Sequence, residues 1–378
     1  MFSLLIVLWS AIMSSQAFGG VDVYYRLHQD LFADYNPEVR PYFNYTMPTE
    51  VIATLSVAYL TELDIRHHFL HLCGFISMMW TDEKLTWNPE KYDNIDRIYV
   101  KQERVWKPDM AVYNSVADKV YLGEENLIVT VSSNGTVRWE PLVNMGVTCK
   151  VDISNYPFDV SVCGINLTSW VYPESCVELK AGKPSLELFR VLSHSQYYIE
   201  YPEPQLTRSP YNGAVYRFLN FPIKLTRRPE YLILTVMVPI TMLAVMCAVP
   251  FLLSPEEPEK LMVSITLLLS FAVSIDYISE KLPQTSINLS VLVVYLSSLF
   301  VLSFLGVLAN AVVLLLKTWD DRLETSGSPS SNLKQGTNCA PTLDKPASRA
   351  QRLNKVFMIL NIILLLAVSG VAWILLIY

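Results

Sequence analysis

The chain has 378 residues, of which 52% are hydrophobic and only 17% are charged, whereas soluble domains carry about 25% charged residues. This composition excludes an intrinsically disordered or collagen-like chain, and six cysteines are too few for a disulfide-dense mini-protein. The net charge of −6 and a pI near 5.5 offer no basic surface for nucleic acid.

The amino terminus predicts a secreted segment. Residues 1–17 form an apolar run that ends with the small residues Ser15 and Ala17, which fits a signal peptide with a peptidase site. Because the run lacks a leading Lys or Arg, a short membrane anchor is the alternative. If the signal is cleaved, residues 18–229 lie outside the cell, where Asn-X-Thr sequences can carry glycans. The sequons in this part begin at Asn44, Asn134 and Asn166.

The segment that follows predicts a β-rich domain. Residues 22–36 have helical spacing and end at Asn36-Pro37. From residue 50 to residue 225 the pattern changes to short strands such as Val51–Tyr59 and Tyr216–Leu225, which are separated by turn residues. Many short strands with frequent turns are typical of a β-sandwich.

The carboxyl-terminal part predicts membrane helices. Tyr231–Leu253, Pro283–Leu316 and Val356–Tyr378 carry no charge, and each is long enough to cross a hydrocarbon core of about 30 Å as a helix. These runs exclude a soluble cytosolic enzyme. The insert 317–355 is predicted to be a largely disordered loop, because it is rich in Ser, Pro, Asn and Thr. It is predicted to be cytoplasmic, because Lys and Arg outnumber the acids there. An outside amino terminus then requires one more crossing, which Leu261–Ile278 supplies, so helices 1–3 fall in residues 230–316.

A spacing of alternately three and four residues places a set of side chains on one face of this additional helix. The set is Glu259, Met262, Thr266, Leu269, Val273, Asp276 and Glu280. Carboxylates at both ends with an apolar middle are typical of a cation-attracting pore with a hydrophobic gate. The alternative is a buried helix in which Asp276 pairs with a neighbour.

One loop carries a family resemblance. Cys149 and Cys163 enclose thirteen residues around Tyr156-Pro157-Phe158-Asp159, which resembles the signature of the Cys-loop receptors, the pentameric ligand-gated ion channels. Trp80-Thr-Asp82 and Trp106-Lys-Pro-Asp109 resemble further markers of that family in the same order. The resemblance implies a Cys149–Cys163 disulfide, an extracellular all-β sandwich and a four-helix transmembrane bundle in a pentameric channel. For Cys73 and Cys176, pairing and free thiols both remain open.

The resemblance also implies cation selectivity. Residues 254–260 carry three acids and no Arg, whereas anion-selective members usually have Pro-Ala-Arg there. Copies of Glu259 would form a negative ring, unless this side chain turns away from the pore. Met262 replaces the small polar residue that is usual in cation channels, so it is expected to narrow the inner pore.

In this family the agonist binds between subunits in a box of aromatic side chains. The resemblance places Tyr113, Trp170, Tyr211 and Tyr216 on the principal face and Phe75 on the complementary face. Aromatic faces attract ammonium groups, so an amine agonist is implied. Ordinary aromatic packing is the alternative in a chain with 21 Tyr.

Two departures leave the ligand open. The third loop lacks the adjacent cysteine pair of nicotinic principal subunits, and Arg138 and Glu140 occupy complementary-face positions that are often uncharged. A zwitterion is therefore an alternative agonist, and an auxiliary subunit that binds no agonist is an alternative role. A non-conducting adhesion protein is a third reading. A metalloenzyme has only the histidines of His67–His71 in its favour, so we expect no enzyme, metal or cofactor.

The expected assembly is a homo- or heteropentamer in the plasma membrane that passes monovalent cations, with both termini outside and a postsynaptic site as one location. The resemblance further implies a gating junction between the two domains. Asp64, Tyr156, Pro157, Phe158, Asp159, Arg228 and Pro283 are expected there. In this interpretation Asp64 or Asp159 pairs with Arg228.

Overall fold

The computed structural model describes residues 21–116, 122–123, 126–182, 194–254, 257, 259–283, 289–326 and 349–377. The predicted signal peptide, residues 1–17, therefore lies outside the described residues, as does 327–348 of the polar insert. The chain forms two compact units. The first contains the strands, and the second contains Ile65–His67, Asp152–Val160 and the chain from Thr226 onward.

The first unit is a β-sandwich of two sheets, preceded by a helix, α1, at residues 21–32. The strands are β1 Thr49–Asp64, β2 Phe69–Thr86, β3 Arg97–Lys101, β4 Met110–Val112, β5 Ile128–Ser132, β6 Asn134–Trp139, β7 Leu142–Thr148, β8 Val160–Ser169, β9 Val177–Ala181, β10 Tyr197–Glu200, β11 Gln205–Tyr211 and β12 Ala214–Arg227. The larger sheet has the order β3-β5-β6-β2-β1-β9 with β7 also paired to β2, and the smaller has β10-β12-β8-β4 with β11 paired to β12.

The sandwich core follows from the period of two in the strands. Leu70, Leu72, Ile76 and Met78 are fully buried, because alternate residues of β2 face the interior. Burying side chains of this size contributes about 1.5–3 kcal/mol each, and the packed sheets hold the loops that carry the candidate ligand site.

The disulfide expected from the resemblance is confirmed. Cys149 and Cys163 are bonded, with their Cα atoms 4.8 Å apart. Cys73 and Cys176 are free. Cys73 lies opposite Tyr59 of β1, whereas the Cys176 carbonyl accepts the amide of Thr49 at the other end of that strand. The ten-residue offset along an extended strand is roughly 33 Å, and a disulfide needs Cα atoms within about 7 Å.

The second unit contains helices that are long and apolar enough to cross a membrane. They are α2 Glu230–Leu252, α3 Glu259–Lys281, α4 Val291–Ser326 and α5 Arg349–Ile377. Residues Ile233–Met237 form a π-helical stretch within α2.

The helix ends differ from the uncharged runs in the sequence. α4 begins at Val291 rather than Pro283 and continues to Ser326, and α5 begins at Arg349 rather than Val356. The start is fixed by Ser290, whose carbonyl accepts the amides of Val293 and Val294. The extensions carry Lys and Arg residues, which are good helix formers, so leaving the apolar run does not end the helix. Helix therefore occupies both ends of the insert expected to be disordered.

Candidate functional site

An open pocket in the first unit brings the principal-face aromatic residues together. The pocket has a volume of about 390 Å³, within the usual range for small-molecule sites. Its walls are Tyr113, Thr168, Ser169, Trp170, Ser209, Pro210, Tyr211, Tyr216 and Phe218. All four predicted aromatic residues of this face line it, and Phe218 adds a fifth aromatic ring that the sequence reasoning missed.

The aromatic rings of the pocket present their surfaces outward. Tyr113 is 61% exposed, Trp170 50% and Tyr211 73%, so core packing does not account for these three. Tyr113 and Phe218 meet edge to face with ring centroids 5.4 Å apart, and Tyr211 and Tyr216 do so at 6.4 Å. Such pairs stabilise each other by about 0.5–1.5 kcal/mol and leave ring faces free for a cation.

Asp109 positions the Trp170 loop. Its carboxylate accepts the Ser169 hydroxyl and the Val171 amide, and its carbonyl accepts the Trp170 amide at 3.2 Å. The carboxylate therefore fixes the residues on both sides of the indole. The Trp106-Lys-Pro-Asp109 motif, interpreted from sequence only as a strand marker, thus holds part of the pocket wall.

A hairpin of β11 and β12 supplies the third loop. Asn212 and Gly213 have φ values of 49° and 81°, the left-handed backbone that a two-residue hairpin turn requires. Tyr216 and Phe218 lie two residues apart on β12 and therefore share a face. Counting by two from Tyr216 would have identified Phe218 from the sequence.

Glu174 fastens this hairpin to the chain beyond Trp170. Its carboxylate bonds Arg217 at 2.5 Å and Arg208 at 2.8 Å, and its amide donates to the Val215 carbonyl at 2.8 Å. Arg208 and Arg217 are cross-strand partners in the hairpin, so one carboxylate bridges two like charges. The hydrogen bond from Arg217 holds the pKa of Glu174 below its ordinary value.

The complementary-face residues lie on the other sheet. Phe75 is opposite Leu142 and Met79 is opposite Arg138, so these side chains share one face of the larger sheet. Arg138 donates to Glu140 at 2.8 Å and to Ser77 at 3.3 Å. The guanidinium therefore has a counter-ion within its own chain, which sequence reasoning did not anticipate. Within the described part of the chain, Phe75, Arg138 and Glu140 are not among the walls of the aromatic pocket.

The predicted stripe on α3 points away from its own helix bundle. Every stripe residue is exposed: Glu259, Met262, Thr266, Leu269, Val273, Asp276 and Glu280. The buried residues of α3 are Lys260, Ser264, Leu267, Phe271 and Ile278, which lie on the remaining surface. Asp276 is thus exposed in the single chain rather than enclosed in the bundle.

The loop between the bonded cysteines is anchored by an ion pair within the second unit. Arg227 bonds both carboxylate oxygens of Asp159, at 2.6 Å and 3.0 Å, and its guanidinium lies 5.2 Å from the ring centre of Tyr156. The prediction paired Arg228 with either Asp64 or Asp159; for Asp159 it is wrong, because the partner is Arg227. Odd-numbered residues of β12 from Leu219 face inward, so Arg227 continues the inward row and Arg228 does not.

The other predicted junction residues are placed as follows. Pro283 is buried, Asp64 ends β1 in the first unit, and the Ser154 carbonyl accepts the first amide of α4 from Val291 at 3.0 Å. Pro157 and Phe158 lie in the same loop, where the Phe158 amide donates to Asn155. The loop tip therefore belongs to the membrane unit, although its cysteines belong to the sandwich.

Two further sequence predictions can be placed. Asn44 and Asn134 are exposed, whereas Asn166 is half-buried in β8. Among the residues that the structure describes, no group of three His, Cys, Asp or Glu side chains is arranged to hold a metal ion.

Comparison with known proteins gives a consistent assignment. A family model described as the neurotransmitter-gated ion-channel ligand binding domain matches residues 24–229, and one described as the corresponding transmembrane region matches residues 236–363. The neuronal acetylcholine receptor subunit alpha-3 of Rattus norvegicus is 26% identical over 292 residues, 77% of this chain and 58% of the relative. The neuronal acetylcholine receptor subunit eat-2 of Caenorhabditis elegans is 29% identical over 299 residues, 77% and 62% respectively. The matches therefore span less than two thirds of these relatives.

Proposed function

The chain belongs to the neurotransmitter-gated ion-channel family, a family of channels rather than enzymes, and from this premise we propose that it is one subunit of a pentameric, cation-selective channel. An amine agonist binds between subunits and opens a pore lined by α3. The protein spans the plasma membrane four times, with both termini outside.

The observation that carries this proposal is the exposed acid-ended stripe of α3. A carboxylate of a membrane span is costly when it faces lipid, and the cost reaches about 2.5–3.5 kcal/mol or more at the bilayer centre. Asp276 and Glu280 are exposed on a helix that is long and apolar enough to span. A water-filled pore, formed when several copies turn this face to a common axis, removes that cost.

Cation selectivity is proposed from the charges at both ends of this stripe. Copies of Glu259 form one negative ring, and copies of Asp276 and Glu280 form two more. Between them Leu269 and Val273, which are exposed on the same face, form the apolar constriction. A ring of carboxylates concentrates cations and repels anions, so the sign of the rings sets the sign of the permeant ion.

The amine is proposed from the aromatic pocket. Each ring face attracts an ammonium group by about 0.5–2 kcal/mol, and five aromatic side chains line the pocket. Arg138, which favours a carboxylate, already has Glu140 as its counter-ion. The balance of these contacts supports an amine over a zwitterion.

The test is expression of the chain in oocytes under voltage clamp, with acetylcholine, choline and glycine as probes. We expect an amine-evoked current whose reversal potential moves when N-methyl-D-glucamine replaces sodium. Glu259→Lys should reduce or invert the cation preference. Glu90→Lys is the control, because Glu90 is also exposed but lies in the first unit rather than in or beside α3, and it should leave the reversal potential unchanged.

A current that reverses with chloride, or an unaltered reversal potential in Glu259→Lys, would contradict cation selectivity at this ring. If the chain is silent alone, it should be expressed with an acetylcholine receptor subunit. Currents that appear only then support an auxiliary subunit, whereas a chain that reaches the surface and conducts in neither setting contradicts the channel.

A further inference from the structure

The four membrane helices enclose a small polar cavity, which shares no lining residue with the aromatic pocket. Asn310 of α4 is 2% exposed and Asn361 of α5 is 6% exposed, and Ser264 of α3 and Ser303 of α4 are also buried. Polar groups inside a membrane bundle are costly unless each finds a hydrogen-bond partner. Their partners therefore need to be identified one by one.

Some polar groups of this cluster have hydrogen-bond partners within the protein. The Ser264 hydroxyl donates to the Lys260 carbonyl at 2.9 Å and accepts the Asn310 side-chain amide at 2.8 Å. The Cys247 thiol and the Ser303 hydroxyl also line the cavity. The two bonds of Ser264 connect α4 to the backbone of α3.

Two hydrogen-bond acceptors in the cluster have no donor among the described residues. The Oδ1 atoms of Asn310 and Asn361 are both buried, and neither has a hydrogen-bond partner among the described residues. Rotating the Asn310 amide does not help, because the Ser264 hydroxyl already donates its proton to the Lys260 carbonyl. The rotated oxygen would therefore face an oxygen without a donor, and the nitrogen would lose its bond to Ser264. An unsatisfied buried acceptor costs about 1–3 kcal/mol.

Both orphaned side chains line the same cavity. The cavity has a volume of about 10 Å³ available to the centre of a water molecule, which is the minimum that holds one water. Its polar lining is Cys247, Ser264, Ser303, Asn310 and Asn361. Gly306 also lines it, and the missing side chain there leaves the space between Phe251 and Asn361 open.

We propose that this cavity binds one water molecule. Water has two O–H donors, which match the two amide oxygens, and its lone pairs face the hydroxyl of Ser303 and the thiol of Cys247. Two to four polar partners are what a buried water requires. The water joins α5 to α4 and, through Asn310 and Ser264, to the backbone of α3.

Glycine substitutions give the sharpest test. A Cβ at Gly306 would lie 3.9 Å from Phe251 and 4.0 Å from the Asn361 amide, so Gly306→Ala fits sterically but takes the space of the water. A Cβ at Gly370 of α5 meets nothing within 4 Å, so Gly370→Ala is the matched control. Both changes improve helix propensity equally.

We expect Gly370→Ala to raise the melting temperature of the detergent-purified full chain by about 2–4 °C, measured by fluorescence-detected size exclusion. Gly306→Ala should fail to raise it or should lower it, because the two amide oxygens lose their shared donor. Equal stabilisation by the two variants would overturn the water site.

A double-mutant cycle adds an independent readout. Asn310→Leu and Asn361→Leu should each lower the melting temperature, because each disturbs the water and leaves the other amide oxygen without its donor. The double variant removes both amide oxygens, so it should lower the melting temperature by less than the sum of the two single effects. Asn361→Leu with Ser274→Ala is the additive control, because the Ser274 hydroxyl donates to the Ser270 carbonyl of its own helix and Ser274 does not line the cavity within the described part of the chain. A cryo-electron-microscopy map that resolves waters should show density between both amide oxygens; a direct bond between the two amides without that density refutes the proposal.

Discussion

The ion pair between Asp159 and Arg227 gives the most demanding prediction. The Asp159 side chain has no exposure and that of Arg227 only 7%, and two hydrogen bonds of 2.6 Å and 3.0 Å join them. Asp159→Asn keeps the shape of the side chain but removes the negative charge that faces the buried guanidinium. Removing one partner of a buried pair costs about 3–5 kcal/mol.

That cost is large relative to the roughly 5–15 kcal/mol by which domains are stable. Asp159→Asn should therefore reduce surface biotinylation of the chain severalfold and lower its melting temperature in detergent. Asp152→Asn is the matched control in the same loop. Asp152 is exposed and accepts the Ser154 amide and hydroxyl, bonds that an asparagine can keep, so the expected change is below about 1 kcal/mol.

A double substitution separates charge burial from lost contact. Asp159→Asn combined with Arg227→Met removes the buried cation as well, and buried pairs replaced on both sides are often close to neutral. The double variant should therefore be more stable than Asp159→Asn alone. If it is less stable, or if Asp152→Asn and Asp159→Asn behave alike, the reasoning about an uncompensated charge is refuted.

Three further predictions concern the aromatic pocket and the sheets. Phe218→Ala should raise the half-maximal amine concentration about fivefold, the equivalent of about 1 kcal/mol of lost ring attraction, while Phe218→Tyr should not, as dose–response curves will report. Glu174→Gln should lower the melting temperature at pH 6. The difference from the parent should shrink below pH 4.5, the ordinary pKa of this carboxyl, and vanish once the pH passes its lowered folded-state pKa, because the stability linked to a lowered pKa is lost on protonation. Gly74→Ala should abolish surface expression, since its Cβ would lie 2.1 Å from the Ser56 carbonyl oxygen, whereas Gly213→Ala meets no atom within 4 Å and should cost only about 1 kcal/mol through its positive φ.

Sequence periodicity predicted the stripe on α3 because a helix fixes which residues share a face. The same reasoning was not carried through for β12. Strands have an equally strict period, and counting by two from Leu219 leads to the buried Arg227, but the prediction took the adjacent Arg228 as the partner of Asp64 or Asp159. The limits of α4 and α5 differ from the uncharged runs for another reason. Absence of charge shows which residues a bilayer can hold, whereas the ends of a helix depend on its backbone hydrogen bonds.

Ion pairs between side chains on different strands could not be predicted from a single sequence. Nothing in the spacing of Arg138 and Glu140 tells that they bond each other, or that Glu174 bridges Arg208 and Arg217. These contacts depend on strand register, which is set by the packing of whole faces. Register also decides that Cys73 and Cys176 lie far apart on the larger sheet.

The partition of the aromatic residues between two sheets has a consequence for assembly. Tyr113, Trp170 and Tyr216 border a pocket at the smaller sheet, whereas Phe75 lies on the larger one. Among the described residues Phe75 is not part of the pocket wall, and the rings of Tyr113 and Trp170 remain exposed. We infer that a complete site needs the Phe75 face of a second subunit. Because this chain carries both sets of residues, the proposed interface site predicts that copies of it alone assemble a complete site.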